Sequence, residues 1–501
     1  MDSDKVVRVM ARWWQTVNQE ENEHNSHNSV LYDPLNDNVV RNSKTMQYFA
    51  ASVICLGAVA AGTALAWTSP VLPQISIDPT AENITNINAT TTSLLLTVDQ
   101  QTWVSSLLAI GAFLGALPTG YIADAIGRRY TAMVMDIPFI LAWIAIIFAK
   151  SAGLLYFGRF MIGVSTGSFC VVAPMYISEI AEISIRGSLG TLFQLLLTVG
   201  ILLVYVIGAY VSWTTLSTFC LFVPIALFIG MIFLPETPTY LLKKGRRGDA
   251  ALALKWLWGR YCDSRSAIQT LQNDIDQSGG KASLMDLFTN RAAFKGLVIS
   301  MLLMFFQQFS GINAVIFYTV PIFKSAGSTL DPFICSIIVG VVQVVMTLTS
   351  SFLIERAGRK MLLIFSSTVM TISLAILGAY FNMKEGGKDV SSIGWLPLLC
   401  MAMFMITFAV GYGPIPWLMM GELFTPDLKA TAVSLTVMVN WFSVFVVTKS
   451  FGSMIVSLGS DFTFWFFAVC MFIATIYVAL MVLETKGKSS AQIQLWLNGD
   501  R

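Results

Sequence analysis

Three amide side chains lie inside an otherwise apolar stretch of this sequence. Gln307, Gln308 and Asn313 fall in the run from about Phe294 to Ile322, which is long enough to cross a bilayer. A buried amide without a partner is destabilising in hydrocarbon, so each of these groups needs something to bond. Amides supply donors and acceptors without a charge, as a neutral polyhydroxylated solute would require. The residue types therefore predict a sugar-binding site at mid-depth in a membrane.

The spacing of these amides adds a second expectation. Gly311 separates the Gln pair from Asn313 and allows the helix to bend between them. The alternative interpretation is that the amides are structural, since interhelical hydrogen bonds in membranes contribute about 0.6–2 kcal/mol each.

Composition decides the class of protein. Hydrophobic residues make up 55% of the 501 positions and charged residues only 12%, whereas a soluble domain carries about 25% charge. The chain is therefore predicted to be an integral membrane protein. The net charge of +2, with no basic patch among aromatics, gives no sign of a nucleic-acid partner. The seven cysteines are widely spaced, without CxxC, and predict neither a disulfide framework nor a metal site.

Signatures of bond-breaking chemistry are missing from the sequence. It contains no HExxH, GxSxG or P-loop motif and no clustered Asp/His set. The chain is accordingly not expected to be an enzyme, and no cofactor is expected.

Apolar runs of spanning length predict twelve transmembrane helices in an all-α membrane protein, six on each side of a polar insert. The predicted spans cover residues 47–69, 102–123, 131–149, 154–178, 188–211, 215–234, 293–322, 332–354, 361–381, 395–420, 430–455 and 462–483. The corresponding domains are a disordered tail (1–45), a first bundle (46–234), a linker (235–292), a second bundle (293–483) and a C-terminal tail (484–501).

The linker contains two stretches with apolar residues at helical spacing, Asp249–Trp258 and Ser264–Asp276. We expect short amphipathic helices that hold the two halves together. A plain solvated linker is the alternative.

The distribution of Lys and Arg predicts the orientation of the chain. With the N-terminus in the cytoplasm, 25 of these residues fall in cytoplasmic segments and four in external loops. Both termini are then cytoplasmic in a multi-pass protein. Two glycosylation sequons, at Asn83 and Asn88, fall in the first external loop, where they could be modified.

The two halves repeat one another. Charged motifs follow spans two, four and six, and similar motifs follow spans eight, ten and twelve, as in Pro235-Glu-Thr237 and Leu483-Glu-Thr485. Two similar bundles imply a shared site that opens to either side. Ion pairs across the cytoplasmic mouth would hold the outward-facing state, whereas positive-inside anchoring is the alternative. The candidate gating residues are Asp124, Arg128, Arg129, Glu179, Arg186, Glu355, Arg356, Arg359, Glu422 and Lys429.

These motifs together carry a family resemblance. Gly127-Arg-Arg129, Pro174-Met-Tyr-Ile-Ser-Glu179, Pro235-Glu-Thr-Pro238, Gln307-Gln-x-Ser-Gly-Ile-Asn313 and Gly413-Pro-Ile-Pro-Trp417 resemble the sugar porter family of the major facilitator superfamily. The resemblance runs from about residue 46 to residue 488. It implies the major facilitator fold, with two pseudo-symmetric six-helix bundles and a cytoplasmic helical insert.

Within that family, Thr68-Ser-Pro-Val-Leu-Pro73 is most similar to insect facilitated trehalose transporters and vertebrate hexose facilitators. The resemblance places sugar ligands at positions matched by residue type. They are Gln194, Gln307, Gln308, Asn313, Trp417 and Asn440.

Two positions depart from the hexose-facilitator pattern. Gln343 stands where a shorter Asn is expected, and Ala409 replaces a carboxylate. The first change reshapes the site and makes Gln343 a further candidate ligand. The second removes a charge from the cytoplasmic side. Trehalose and a hexose both remain open as substrates.

The energy source of transport can be predicted from the lack of a titratable side chain in the first span. Proton-coupled members of the family carry an Asp there, but Tyr48–Trp67 contains no carboxylate or His. Asp136 in span three is expected to be paired structurally. We therefore predict a monomeric plasma-membrane uniporter for a small neutral sugar, surrounded by lipid and working by alternating access. A proton-coupled symporter and a non-transporting sugar sensor are the alternatives.

Overall fold

The computed structural model describes residues 44–76, 94–182, 185–259, 263–277, 286–488 and 490–498. Within these ranges the fold is almost entirely helical, and twelve helices are long and apolar enough to cross a membrane, as predicted. In chain order, α1 to α12 are Thr45–Ile75, Val98–Ile126, Arg128–Ile147, Ala152–Ile180, Arg186–Gly208, Trp213–Phe233, Arg291–Ala326, Pro332–Ala357, Arg359–Glu385, Ser391–Glu422, Pro426–Leu458 and Ser460–Met481.

Three of these membrane spans contain local breaks. α1 consists of Thr45–Ile54, Leu56–Ala66 and Thr68–Ile75 in close succession. The other two, α7 and α10, are interrupted at the candidate site. We use "inner" for the helix ends that the charge distribution predicts to be cytoplasmic, and "outer" for the opposite ends.

Several of the helices begin after a polar residue whose side chain accepts hydrogen bonds from backbone N–H groups that lack an intrahelical acceptor. Asn290 accepts hydrogen bonds from the N–H groups of Ala292 and Ala293 at the start of α7. Asp331 does the same at the start of α8, just before Pro332. Caps of this kind contribute about 1 kcal/mol each and fix where an apolar run becomes a helix.

One buried arginine ties three helices of the first half together. Arg159 in α4 is fully buried, and its guanidinium donates to the carbonyls of Val104 in α2 and Ala64 in α1. The guanidinium also lies 5.5 Å from the ring centroid of Trp67. Backbone carbonyls and an aromatic face compensate the charge, so this residue stabilises the bundle around the site.

The linker is helical in the two predicted stretches, as Arg247–Trp258 and Ser264–Gln277, and also in Pro238–Lys243, where no helix was predicted. Two hydrogen bonds from these helices reach the first half. Tyr240 donates to the carbonyl of Ala125, and Trp258 donates to that of Ile180. The linker is thereby held against the inner ends of α2 and α4.

The outer ends of the two halves are joined directly. Tyr205 in α5 donates to the carbonyl of Ile316 in α7, Thr68 donates to that of Phe317, and the N–H of Val320 donates to Ser69. At the inner ends, the described hydrogen bonds and ion pairs stay within one half. The structure therefore represents a conformation that is closed on the outer side.

Candidate functional site

The site is organised by a break in α7. Gly311 adopts a φ of +86°, a left-handed conformation that separates Arg291–Gln308 from Ile312–Ala326. A Cβ at this position would also lie 3.1 Å from the ring of Phe467. The predicted bend at Gly311 is present, and it places the Gln pair at the end of one helical piece and Asn313 at the start of the next.

A second break faces the first. α10 is interrupted between Leu396–Val410 and Ile415–Glu422, where Pro416 has no N–H to give to the carbonyl of Tyr412. The side chain of Gln307 supplies the missing donor. Its Nε2 donates to the carbonyls of Tyr412 at 2.7 Å and Gly413 at 2.9 Å. Gln307 therefore connects the two broken helices.

Gln308 is the centre of an amide network. Its Nε2 donates to Asn440 Oδ1 in α11 at 2.6 Å and to Gln307 Oε1 at 3.2 Å. Its own Oε1 accepts from Asn313 Nδ2. All four residues are buried. The structure thus brings together four of the seven predicted sugar ligands, drawn from α7 and α11, in one continuous chain of hydrogen bonds.

The network leaves some groups without a described partner. Both donor hydrogens of Gln307 and of Gln308 are used by the bonds above. Among the described hydrogen bonds, none engages Asn313 Oδ1 or Asn440 Nδ2. In α8, Gln343 is 3% exposed and its Oε1 is buried without a partner. Buried polar groups rarely remain unbonded, so these atoms are the ones able to bind a solute or water.

The other two predicted ligands are less buried. Gln194 in α5 and Trp417 in the inner piece of α10 are both half-buried, and no described hydrogen bond joins either of them to the amide network. Trp417 packs partly against the hydrophobic core. An indole ring that remains partly uncovered can lie against the apolar C–H surface of a sugar.

The candidate gating residues pair within each half of the molecule. Arg128 lies 2.9 Å from Glu179 and 3.0 Å from Asp124 in the first half. Arg359 lies 3.0 Å from Glu422 in the second half. The expected pairing across the cytoplasmic mouth is not seen among the described ion pairs of this outer-closed conformation.

The remaining predicted residues have other surroundings. Arg129 donates to the carbonyls of Met231 and Ile232, and the exposed Arg356 contributes its own carbonyl to Lys486. The side chains of three further gating candidates and both sequon asparagines lie outside the part of the chain that the structure describes. They are Arg186, Glu355, Lys429, Asn83 and Asn88.

Two carboxylates that were recognised only as repeats have equivalent functions in the two halves. Glu236 accepts the backbone N–H groups of Arg128 and Arg129, and Glu484 accepts those of Arg359 and Lys360. Each carboxylate thus caps the helix that begins at the Gly-Arg motif of its own bundle. The recurring Pro-Glu-Thr and Leu-Glu-Thr triplets were the signal that could have identified them.

The surroundings of these two carboxylates differ. Burial raises the pKa of Glu236, although backbone N–H groups and Arg128 oppose the shift. Burial acts in the same direction at Glu484, but the N–H groups of Lys486, Arg359 and Lys360 outweigh it and lower the pKa of this carboxyl. The ionised form is therefore better stabilised in the second half than in the first.

The expected structural pairing of Asp136 is wrong for the described conformation. The residue is fully buried in α3, and neither carboxylate oxygen has a hydrogen-bond partner. The sequence places Asp136 about two turns from the inner end of α3. It does not show which side chains surround the carboxylate, and so it could not reveal that none of them bonds it. An unpartnered buried carboxylate is strongly unfavourable when ionised.

The fold and the site together define a class. Twelve spanning helices, a repeated arrangement of charged motifs and an uncharged polar network beside two broken helices are the features expected of the major facilitator fold. The profile of the family described as "Sugar (and other) transporter" matches residues 40–496. The chain therefore belongs to this sugar transporter family, and it is a multi-pass membrane protein and not an enzyme.

Relatives of known name agree with this assignment. The chain is 38% identical over 456 residues to the facilitated trehalose transporter Tret1-2 homolog of Drosophila simulans, covering 90% of this chain and 91% of that protein. It is also 38% identical over 473 residues to the Drosophila sechellia homolog, covering 94% of each. Some relatives are longer, and the chain spans 49% of the Tret1 protein of Drosophila virilis.

Solved structures agree in fold. The xylose transporter XylE from E. coli, in a partially occluded inward-open conformation, superimposes with a TM-score of 0.74 at 23% identity, over 89% of this chain and all of that one. The proton:xylose symporter XylE bound to 6-bromo-6-deoxy-D-glucose gives a TM-score of 0.71 at 22% identity, over 90% and 99%. At this level of identity the similarity establishes the fold alone.

Proposed function

We propose that this protein is a facilitative uniporter that moves trehalose or a hexose across the plasma membrane. The amide network of Gln308, Asn313 and Asn440 is the observation that carries the proposal. It is uncharged, lies between broken helices, and leaves amide atoms without partners within the described residues. Sugar hydroxyls are donors and acceptors of the kind these atoms need.

Transport follows from placing such a site between two bundles that close alternately. In the structure the outer ends are joined, so a sugar would exchange with the inner side. Binding that is tightest in an occluded intermediate would let the two halves rearrange and expose the site outward. The similarity to facilitated trehalose transporters supports trehalose as the first substrate to test.

The uniport assignment rests on the residues near the site. α1 contains no carboxylate or His between Tyr48 and Trp67, and the network itself does not titrate. A proton-coupled symporter remains the second candidate, because Asp136 is a buried carboxylate with no described partner and a structural neighbour is a proton symporter.

The deciding experiment is uptake of radiolabelled trehalose and glucose into proteoliposomes, with and without a protonophore. If the protein is a uniporter, its initial uptake rate stays the same when the protonophore collapses a proton gradient. Competition by a panel of mono- and disaccharides then ranks the substrates. Loss of most uptake on adding the protonophore would reject uniport. If Asp136→Asn abolished that sensitivity, Asp136 would be the proton site. Binding of sugar without any flux would indicate a sensor.

Orientation and location are part of the same proposal. The charge distribution places both termini in the cytoplasm and the loop with Asn83 and Asn88 outside. Expression in eukaryotic cells, followed by glycosidase treatment, checks this orientation. A mobility shift that disappears in the double Asn→Gln variant is expected. A shift that persists in this variant would place the modification elsewhere.

A further inference from the structure

A single lysine makes three contacts across the outer seam between the two halves. Lys449, near the outer end of α11, lies 2.7 Å from Asp99 Oδ1 at the start of α2. Its Nζ also donates to Thr102 Oγ1 at 2.9 Å and lies 4.2 Å from the ring centroid of Trp103. Asp99 and Lys449 are 350 positions apart in the chain, so this contact exists only when the two halves meet on the outer side.

The backbone is arranged to permit this approach. Gly452 lies three residues after Lys449, and a Cβ there would come within 2.6 Å of Thr102 Cγ2. Phe445, one turn before Lys449, has its ring centroid 6.5 Å from that of Trp103. A stripe on α11 formed by Phe445, Lys449 and Gly452 therefore fits against the first turns of α2.

The packing between α2 and the second half is less complete beside these contacts. A cavity of about 220 Å³ lies beside the lysine, lined from α2 by Val98, Gln101 and Thr102 and from the second half by residues that include Gly452 and Ile455. Next to this cavity, the polar contacts of Lys449 add a charged and hydrogen-bonded connection to the packing of α11 against α2.

We infer that Lys449 and Asp99 form an outer latch that stabilises the inward-facing state of the transport cycle. The latch must break whenever the outer side opens, since its partners belong to different halves. Its effect is therefore on the ratio of the two states and on the rate of outward opening. This inference rests on the alternating access proposed above, and it adds residues outside the sugar site to the machinery of transport.

The expected size of the effect is limited by solvent. Asp99 is 74% exposed and Lys449 is 23% exposed, and ion pairs of this kind are weak because water screens them. Removing the charge of Asp99 should raise the ratio of outward- to inward-facing molecules about two- to five-fold. Removing Lys449 also removes the contact with the ring of Trp103, so a larger change of about ten-fold is expected.

The test measures the distance between the outer ends of the halves. Spin labels are attached at Tyr210→Cys after α5 and Lys388→Cys after α9, both exposed, in a variant without the seven native cysteines. Asp99→Asn and Lys449→Met should each increase the population with the longer distance, and Asp99→Lys combined with Lys449→Asp should restore part of the original distribution. Arg246→Gln, which removes the exposed linker pair with Asp249, is the matched control.

A disulfide variant tests the seam independently of charge. In Thr102→Cys/Gly452→Cys the two Cβ atoms would lie about 4 Å apart, which suits a disulfide. Oxidation should abolish uptake, and reduction should restore it. The latch inference is overturned if sugar shifts the distance distribution while the Asp99 and Lys449 variants match the Arg246→Gln control. A single distance population in every variant, with or without sugar, would overturn alternating access and the latch together.

Discussion

At the scale of single residues, Gln307 and Gln308 have different functions although they are adjacent and identical in type. Gln307 donates both hydrogens to the carbonyls of Tyr412 and Gly413, which the proline break leaves without intrahelical donors. Gln308 instead connects Asn313 and Asn440. In the proposed sugar site, the first residue would fix the shape of the site, and the second would determine which amide atoms are left to face a solute.

Gln308→Ala is therefore expected to remove most sugar transport without unfolding the protein. It leaves the amides of Asn313 and Asn440 without their present partner, and an unsatisfied buried group costs about 1–3 kcal/mol. Uptake should fall at least ten-fold at equal surface expression. Gln269→Ala, which removes a solvent-exposed linker amide, is the control. Normal uptake by Gln308→Ala would place the binding site elsewhere.

The contributions of the two equivalent carboxylates to stability are expected to change in opposite directions with pH. The raised pKa of Glu236 means that its contribution to stability is present below the unfolded value near 4.5 and is lost as pH rises through the folded pKa. The lowered pKa of Glu484 means that its contribution is present above 4.5 and is lost as pH falls through the folded pKa.

Thermal unfolding midpoints of the detergent-solubilised protein, measured from about pH 4 to pH 8, test this difference. Glu484→Gln should lower the midpoint at neutral pH and lose its effect in acid. Glu236→Gln should leave the midpoint at neutral pH unchanged or higher. Equal losses in both variants would mean that the two helix caps are electrostatically alike.

At the scale of helices, the breaks in α7 and α10 are the features that position the site. Gly311 is essential to the first break because its φ of +86° is unfavourable for any residue with a side chain. The prolines make the second break, and Gln307 bridges the two. The site is therefore a product of interrupted helices and would not exist between two straight ones.

Gly311→Ala should impair both stability and transport. A left-handed conformation costs a residue with a Cβ about 1–2 kcal/mol, and the new methyl group would press on Phe467. Gly387→Ala is a matched control, because Gly387 also has a positive φ, of 73°, but has open space around its Cβ. Both variants should lower the thermal midpoint, whereas only Gly311→Ala should reduce uptake per folded molecule. Equal uptake by the two variants would show that the bend at Gly311 is not required for transport.

Local sequence was sufficient for the twelve spans and for the bend at Gly311, because apolar run length and a glycine act within a few residues of themselves. The clamp of Gln307 on α10 was not predictable, since it requires knowledge of which helix faces which. The contact of Asp99 with Lys449 was missed for the same reason. The absence of a partner for Asp136 depends on every neighbouring side chain, and no short motif contains that information.

At the scale of the whole molecule, the described contacts separate the two sides of the membrane. Hydrogen bonds and the Lys449 ion pair join the halves on the outer side. On the inner side, Arg128 and Arg359 pair within their own bundles. Each bundle is thus held together internally, while the hydrogen bonds and the ion pair described between the bundles lie on the outer side. Such an arrangement allows rigid halves to move relative to one another around the amide network.

Binding of a neutral sugar by this network is tested by a structure of the protein bound to trehalose or glucose. Sugar hydroxyls are expected within hydrogen-bonding distance of Asn313 Oδ1, Asn440 Nδ2 and Gln343 Oε1, with one face of the sugar against Trp417. A sugar bound elsewhere, with these amide atoms satisfied by protein or water alone, would contradict this expectation.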